Sequence, residues 1–294
     1  MNVRLHDARN VSQALPARIE RKFFIPAERV ELAYGLLRTL CRPDRDFPAE
    51  QVSSLYFDTA GLDEYEHSLS GDFRKNKVRI RWYGTDGRES ELATVFLELK
   101  SRRGFASTKQ RLKVEVPSLK LEPAHLAAGI VSQGLLERTL AGFGFFMTQA
   151  LLPVVKISYL RFRFRDPLIG QGLALDCRIR SSLVRPELGH GQRELEISGS
   201  VLEIKGHDLE LPPTLKRLRL LEIDWSQFSK YSACLNAHGD RAGATGRLSP
   251  QGRDAADMPV VLREARFNGA ALHGRLSPSC AQGSVSSSPD PGAV

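Results

Sequence analysis

The chain has 294 residues, of which 41% are hydrophobic and 26% charged, and a formal net charge of +8. That length holds one large domain or two small ones, and the apolar fraction allows a globular core without a membrane. From Ala237 to the C-terminus there are 6 basic and 5 acidic residues, a net of +1, so +7 of the charge sits in residues 1–236. A basic folded body favours anionic partners: nucleic acid, an anionic membrane surface or phosphorylated small molecules.

Cys41, Cys177, Cys234 and Cys280 form no CxxC pair. This speaks against a zinc site and a disulfide framework and fits a reducing compartment. Met1 to Asn10 lacks the apolar core of a signal peptide. The longest uncharged run, Thr139 to Val155, is interrupted by Gly142, Gly144, Gln149 and Pro153 and is too short to span a bilayer. A soluble, cytoplasmic protein is expected.

In chain order, Arg18 to Ile25 reads as a strand. Pro26 sits where helices begin, and Ala27 to Leu40 has helical apolar spacing. Val52 to Asp58 is a strand, Leu62 to Leu69 a short helix. Asn76 to Tyr83 and Thr94 to Lys100 are strands joined by a turn at Thr85-Asp86-Gly87, and Lys109 to Val116 is another strand. Pro123 to Phe146 is mostly helical, in one or two pieces. Val154 to Arg165, Leu173 to Arg180, Arg193 to Ile197 and Val201 to Lys205 are strands. Pro213 to Leu220 reads as a short helix. Ser226 is the expected cap of a final helix reaching about His238. Many short strands with interspersed helices predict an α+β fold around a barrel or sandwich. Residues 1–16 read as an N-terminal extension. Residues 239–294, rich in Gly, Ala, Ser and Pro, read as a disordered low-complexity tail.

The strand faces carry the chemistry. Residues i and i+2 of a strand share a face. Glu20 and Lys22, Glu98 and Lys100, and Glu203 and Lys205 therefore each stand side by side. Lys77, Arg79, Arg81 and Tyr83 share a face with Val78, Ile80 and Trp82 behind them. Arg161, Arg163 and Arg165 share one with Leu160, Phe162 and Phe164 behind, and Lys109, Arg111 and Lys113 share another. Two readings stay open on spacing alone. These are solvated faces of ordinary half-buried strands, or they converge on a cation-rich cavity for a polyanion and its metal ion. The aromatics mostly sit on the apolar faces, so stacking platforms for nucleic acid are not evident. His67, His190 and His207 read as surface residues, and Gly84 and Gly104 as turn formers.

Eight motifs in order carry a resemblance. They are Ile19-Glu20-Arg21-Lys22-Phe23; Ser54-Leu55-Tyr56-Phe57-Asp58-Thr59; Lys77 to Gly84; Phe96-Leu97-Glu98-Leu99-Lys100; Lys109-Gln110-Arg111; Tyr159-Leu160-Arg161; Leu202-Glu203-Ile204-Lys205; and Phe228-Ser229-Lys230-Tyr231. Together they resemble the VTC domain, the polyphosphate polymerase domain of vacuolar transporter chaperones, within the triphosphate tunnel metalloenzyme superfamily. The likeness covers roughly Ala17 to Cys234, with 17–238 taken as the catalytic domain, and is similar to stand-alone bacterial members.

The resemblance implies an antiparallel β-barrel whose lumen is a polar, mostly basic tunnel, with helices packed outside. It implies a metal-dependent phosphotransferase that moves the γ-phosphoryl group of ATP onto inorganic polyphosphate. Alternatives are a triphosphate hydrolase and a non-catalytic polyanion-binding module. By the same resemblance Lys22, Arg79, Arg81, Lys100, Lys109 and Arg161 bind the triphosphate and Lys230 contacts substrate or product. Glu203 holds Mn²⁺ or Mg²⁺. Glu20 and Glu98 either bind metal or orient Lys22 and Lys100; Lys205 is equally open. No nucleic-acid partner is implied, and a membrane protein partner is left open. Arg18 stands where many tunnel enzymes have a first acid, as suits the polymerase branch. Gly172 and Ala174 stand where relatives often carry Arg and Thr ahead of Asp176, so that cation is absent or is supplied by Arg178 or Arg180.

Overall fold

Alternating apolar residues build the strands, and their register builds the sheet. The computed structural model describes residues 19–84, 91–104, 106–185, 188, 194–206, 211–223, 225–226, 228–241 and 262–264. β1 (Ile19–Pro26) leads through a 3₁₀ turn, Ala27–Arg29, into α1 (Val30–Leu40). There follow β2 (Arg42–Pro43), β3 (Ala49–Asp58), α2 (Asp63–Leu69), β4 (Arg74–Tyr83), β5 (Leu92–Arg103) and β6 (Ala106–Pro117). Two 3₁₀ segments, Ser118–Leu121 and Pro123–Ala128, precede α3 (Gln133–Gly142). Then come β7 (Leu152–Arg165), β8 (Gly172–Leu183), β9 (Leu195–Ile197) and β10 (Gly199–Gly206). The 3₁₀ segment Pro213–Leu221, β11 (Trp225–Ser226), α4 (Lys230–Arg241) and β12 (Leu262–Glu264) complete the unit that ends at Glu264. The proposed tail falls mostly outside the described residues, as do His190, His207 and the extension 1–16; within it, β12 pairs with β9.

The strands pair antiparallel in the order β11-β1-β10-β8-β7-β3-β4-β5-β6. Among the described residues nothing pairs β6 with β1 or β11, so the sheet is open. This corrects the expected closed barrel and its tunnel. Closure needs the end strands within hydrogen-bonding distance, roughly 4.8 Å, over several residues. One end of the order is β11, only two residues long and opposite Lys22 and Phe23. The sheet curls all the same. Lys100 of β5 reaches Glu20 of β1 at 2.5 Å, although these strands lie near opposite ends of the order. Side chains cross the gap that the backbone does not.

Two apolar layers cover the convex side. Phe23, Ile25, Phe162, Leu175, Leu202 and Ile204 pack under α1 and Pro213–Leu221. Leu55, Ile80, Trp82, Leu97 and Val114 pack under Leu121, Leu126, Leu136 and Leu140. A third cluster lies on the concave side, where Tyr56, Ile157, Ile179 and Val201 meet Phe228, Tyr231 and Leu235 around the start of α4. Tyr231 stacks on Tyr56 at 5.1 Å. The helices are peripheral, as expected, and the first turns of α4 close one end of the trough. Its apolar residues are too few for its periodicity to show which face of a sheet it would cover.

The cap also differs from expectation. Ser226 lies in β11. Ser229 caps α4, its Oγ accepting the Ser232 N–H at 3.3 Å. Gly104 turns β5 toward β6 at φ +58, and an added Cβ would meet the Phe73 ring; Gly84 likewise has positive φ.

Candidate functional site

On the concave face of β4, β5 and β6 the register sets out three rows. Arg81, Phe96 and Lys113 form one, Arg79, Glu98 and Arg111 the next, and Lys77, Lys100 and Lys109 the third. Rows lie about 7 Å apart, two residues along a strand. Curvature brings β7, β8, β10 and β1 opposite, with Arg161, Asp176, Glu203, Lys205, Glu20 and Lys22. Lys230 enters from α4.

Four carboxylates organise these cations. Glu20 takes Lys100 at 2.5 Å and Lys22 at 3.8 Å. Glu98, with no exposed surface, takes Arg79 at 2.8 Å and Lys109 at 2.6 Å. The idea that Glu98 orients Lys100 is corrected. A directly opposed residue such as Arg79 stands closer than an i+2 neighbour on the same strand. Asp176, equally buried, accepts from Arg161 Nε at 2.6 Å and Nη2 at 2.8 Å, and from Lys230 at 2.6 Å. Glu203 pairs with Lys205 at 3.0 Å and Arg161 at 3.8 Å. Arg81 donates to Ser54 at 3.0 Å and to the Tyr159 hydroxyl at 3.1 Å; Arg79 donates to the Tyr56 hydroxyl at 3.1 Å. Lys77 donates to Ser229 at 2.8 Å.

All eight residues named from the resemblance, Lys22, Arg79, Arg81, Lys100, Lys109, Arg161, Lys230 and Glu203, lie along this face. With Lys77 and Lys205 the named cations outnumber the four carboxylates more than two to one. Burial sets the ionisation of three of the lysines, whereas Asp176 and Tyr159 raise Lys230 against its burial. Burial, then Lys22 and Lys100, pushes Lys77 down to about 7. Burial brings Lys109 down to about 8 against the pull of Glu98. Burial also lowers Lys22, although Glu20 and Glu203 oppose it. The acids behave oppositely. Glu98 and Asp176 both stand at about 2 despite burial, Glu98 because of Arg79 and Arg81 and Asp176 because of Arg161 and Lys230. Such a surface is short of negative charge and has its cations preset.

Sequence reasoning assigned no role to Lys77, Tyr56, Tyr159, Asp176 or Ser229. Alternation could have found Tyr56, two residues from Ser54 and opposite Arg79. Asp58, at the end of β3, has a structural role. It is fully buried and accepts N–H bonds from Thr59, Glu64 and Tyr65 and the Tyr231 hydroxyl at 2.6 Å. It thereby ties α2 and α4 to β3. Burial outweighs those bonds and raises its pKa. Most strand aromatics lie on the apolar faces, among them Phe23, Trp82, Phe162 and Phe164, but Tyr56, Tyr159 and Phe96 join Tyr83 among the cations on this face.

The sequence profile of the VTC domain matches residues 17–238. The chain belongs to the VTC domain family. Membership places it in the triphosphate tunnel metalloenzyme superfamily and gives it a phosphotransfer-type catalytic role. No curated protein matches the chain by sequence. Two solved structures resemble it more distantly. One, from Bacillus halodurans and described as a "putative adenylate cyclase", is 18% identical. That match covers 73% of this chain and 94% of the other, with a TM-score of 0.42. The second, from Vibrio parahaemolyticus and described in the same words, is 11% identical, covering 75% of this chain and 98% of the other at a TM-score of 0.41. Among the described residues no helix is long and apolar enough to cross a membrane.

The triphosphate tunnel metalloenzyme superfamily is generally metal-dependent. Among the described residues no three His, Cys, Asp or Glu side chains cluster as a metal cage. Glu203 and Glu20 nevertheless lie within hydrogen-bond reach of each other, and Lys205 and Arg161 hold Glu203 well below the usual carboxylate range despite its burial. Two adjacent carboxyls suit a hard divalent ion whose remaining ligands are water and substrate phosphate oxygens. The residues therefore fit Mg²⁺ or Mn²⁺ bound together with its substrate. Gly172 and Ala174 lie on the same face, opposite Lys205 and Glu203. Arg180 does not fill their place: it pairs with Glu196 at 2.9 Å and Glu194 at 3.6 Å on the β9 side. Arg178 occupies a bulge of β8 with φ +52.

Proposed function

We propose that this VTC domain is a polyphosphate polymerase that transfers the γ-phosphoryl group of ATP to the end of an inorganic polyphosphate chain. The reading rests on one observation: lysines and arginines from six strands and α4 converge on a single curved face that lacks enough acid to neutralise them. Phosphoryl transfer is catalysed mainly by positioning and charge stabilisation, and such a face offers both. Arg79, Arg81 and Arg161 are held at both sides by Glu98, Tyr56, Tyr159, Ser54 and Asp176, so their forks are oriented before substrate arrives. Lys22, Lys77, Lys100 and Lys109 add charge, and Lys77 and Lys109 gain protons as phosphate oxygens approach. Lys230, on the first turn of α4, contacts substrate or product.

Glu203, with Glu20 beside it, would hold Mg²⁺ or Mn²⁺. When bound, the ion withdraws charge from the phosphoryl group in transit. The nucleophile is the terminal phosphate of the growing chain, so no serine or cysteine nucleophile is required. We assign the activity to residues 17–238 and place it in the cytoplasm, where ATP is available and Cys41, Cys177 and Cys234 stay unpaired.

The test is incubation of purified protein with ATP and Mn²⁺, followed by gel detection of polyphosphate. Chains of many phosphates are expected. Free phosphate alone would identify a hydrolase, and absence of turnover with retained polyphosphate binding would identify a passive module; either overturns the polymerase reading.

A further inference from the structure

The row nearest the open end of the trough differs from the other two. Phe96 of β5 faces the cations directly opposite Arg81 and Lys113. Tyr83, two residues beyond Arg81 on the same face, meets Phe96 edge-on at 5.7 Å and 67°. The Arg111 guanidinium lies over the Phe96 ring at 4.1 Å. Phe96 and Tyr83 are only half-buried, and Arg111 and Lys113 are exposed. Aromatics elsewhere on this face are closed off: Tyr56 is buried under Tyr231, and Tyr159 is buried among Arg81, Arg161 and Lys230. A half-buried ring whose face is covered by an exposed planar cation is a ready platform for another planar group that takes the cation's place.

We infer that Phe96, flanked by Tyr83 and Arg111, is a nucleobase subsite that makes this face select a nucleoside triphosphate over inorganic triphosphate. The inference rests on the triphosphate reading above and adds the substrate's direction to it. The base lies on Phe96, and the phosphates run down the rows past Arg81 and Arg79 to Lys77 and Lys100. The last row is the one that curvature brings to Lys22 and Glu20. The terminal phosphate therefore ends beside the carboxyl pair Glu20 and Glu203, where transfer is proposed, and the base stays at the open end. A base displaces the Arg111 guanidinium from the ring, because stacking on an aromatic outweighs an exposed cation–π contact. Arg111 is then free to pair with phosphate. Stacking needs only a π-face, so discrimination among bases follows ring size: ATP and GTP bind more tightly than CTP and UTP.

Titration calorimetry of ATP and of inorganic tripolyphosphate, without turnover, separates the platform from the anion site. Phe96→Ala is expected to weaken ATP about tenfold or more and to leave tripolyphosphate unchanged. Phe96→Trp, which keeps an aromatic face, is expected to hold or tighten ATP while also leaving tripolyphosphate unchanged. Equal loss of both ligands in Phe96→Ala, or unaltered ATP binding in both variants, overturns the subsite. A protein that selects ATP through Phe96 yet makes no polyphosphate keeps the subsite and sinks only the polymerase reading. A parent protein that binds neither ligand sinks both.

Discussion

Asp176 is the carboxylate on which the basic face depends, and Asp176→Asn measures that dependence. The side chain has no exposed surface and takes three short bonds, two from Arg161 and one from Lys230. The amide keeps the shape and removes the charge, leaving two buried cations facing a neutral group. Breaking a buried pair in this way costs about 3–5 kcal/mol. An independent figure comes from ionisation. Moving Asp176 from 3.8 to about 2 is worth about 2–3 kcal/mol. The two agree on a loss of several kcal/mol. For a folded unit of this size about 2–4 °C of Tm goes with each kcal/mol, so the variant should melt about 6–20 °C below the parent. Its phosphate affinity should move the other way, because Arg161 and Lys230 no longer have an internal counterion. Thermal unfolding with and without tripolyphosphate reads both effects. The variant starts lower and gains more from the ligand. A variant melting within a degree or two of the parent, or one binding tripolyphosphate more weakly than the parent while folded, would refute the reasoning. The same charge predicts the acid limb. A depressed carboxyl contributes stability that is full above its unfolded pKa and is lost as pH falls through the folded one, here between about 4 and about 2.

Arg79→Ala and Arg81→Ala should each weaken ATP by about 1.5–3 kcal/mol, the range for bonds to charged groups; two folded variants with parental ATP affinity would remove these arginines from the site. Glu203→Gln should keep most metal-free nucleotide binding and lose the dependence of turnover on Mn²⁺, since it removes a hard-oxygen ligand and spares the cations; turnover and Mn²⁺ titration indistinguishable from the parent would rule it out as a ligand. Triphosphate binding at pH 8 should take up on the order of one proton, because Lys77 at about 7 and Lys109 at about 8 are partly neutral in the free protein and an anion raises both. Affinity then falls as pH rises above that range, and binding heats should differ between buffers of different ionisation enthalpy; buffer-independent heats would show that no proton moves.

Strand periodicity alone was enough to put Arg79 and Arg81 on one face with Val78, Ile80 and Trp82 behind them, because a pleated backbone turns alternate side chains to opposite sides wherever the strand lies. The same local rule located Lys22, Lys100, Arg161 and Glu203, and the order of motifs supplied the VTC family. Pairing across strands was beyond its reach. Glu98 chose Arg79 and Lys109 over Lys100, and Asp176 found Lys230, because these partners are far apart in sequence and meet only through register and curvature. Alternation placed Tyr83 among the cations and could have placed Phe96 there too, but their contact with each other and with Arg111 spans three strands. Whether the sheet closed was least legible of all. A lumen-facing row and the concave face of an open sheet carry the same alternation, and closure depends on twist summed over nine strands and on what the end strands meet. Here one edge is occupied by the two residues of β11, the other is left at β6, and the trough is held together by ion pairs such as Lys100 with Glu20 that no local pattern announces.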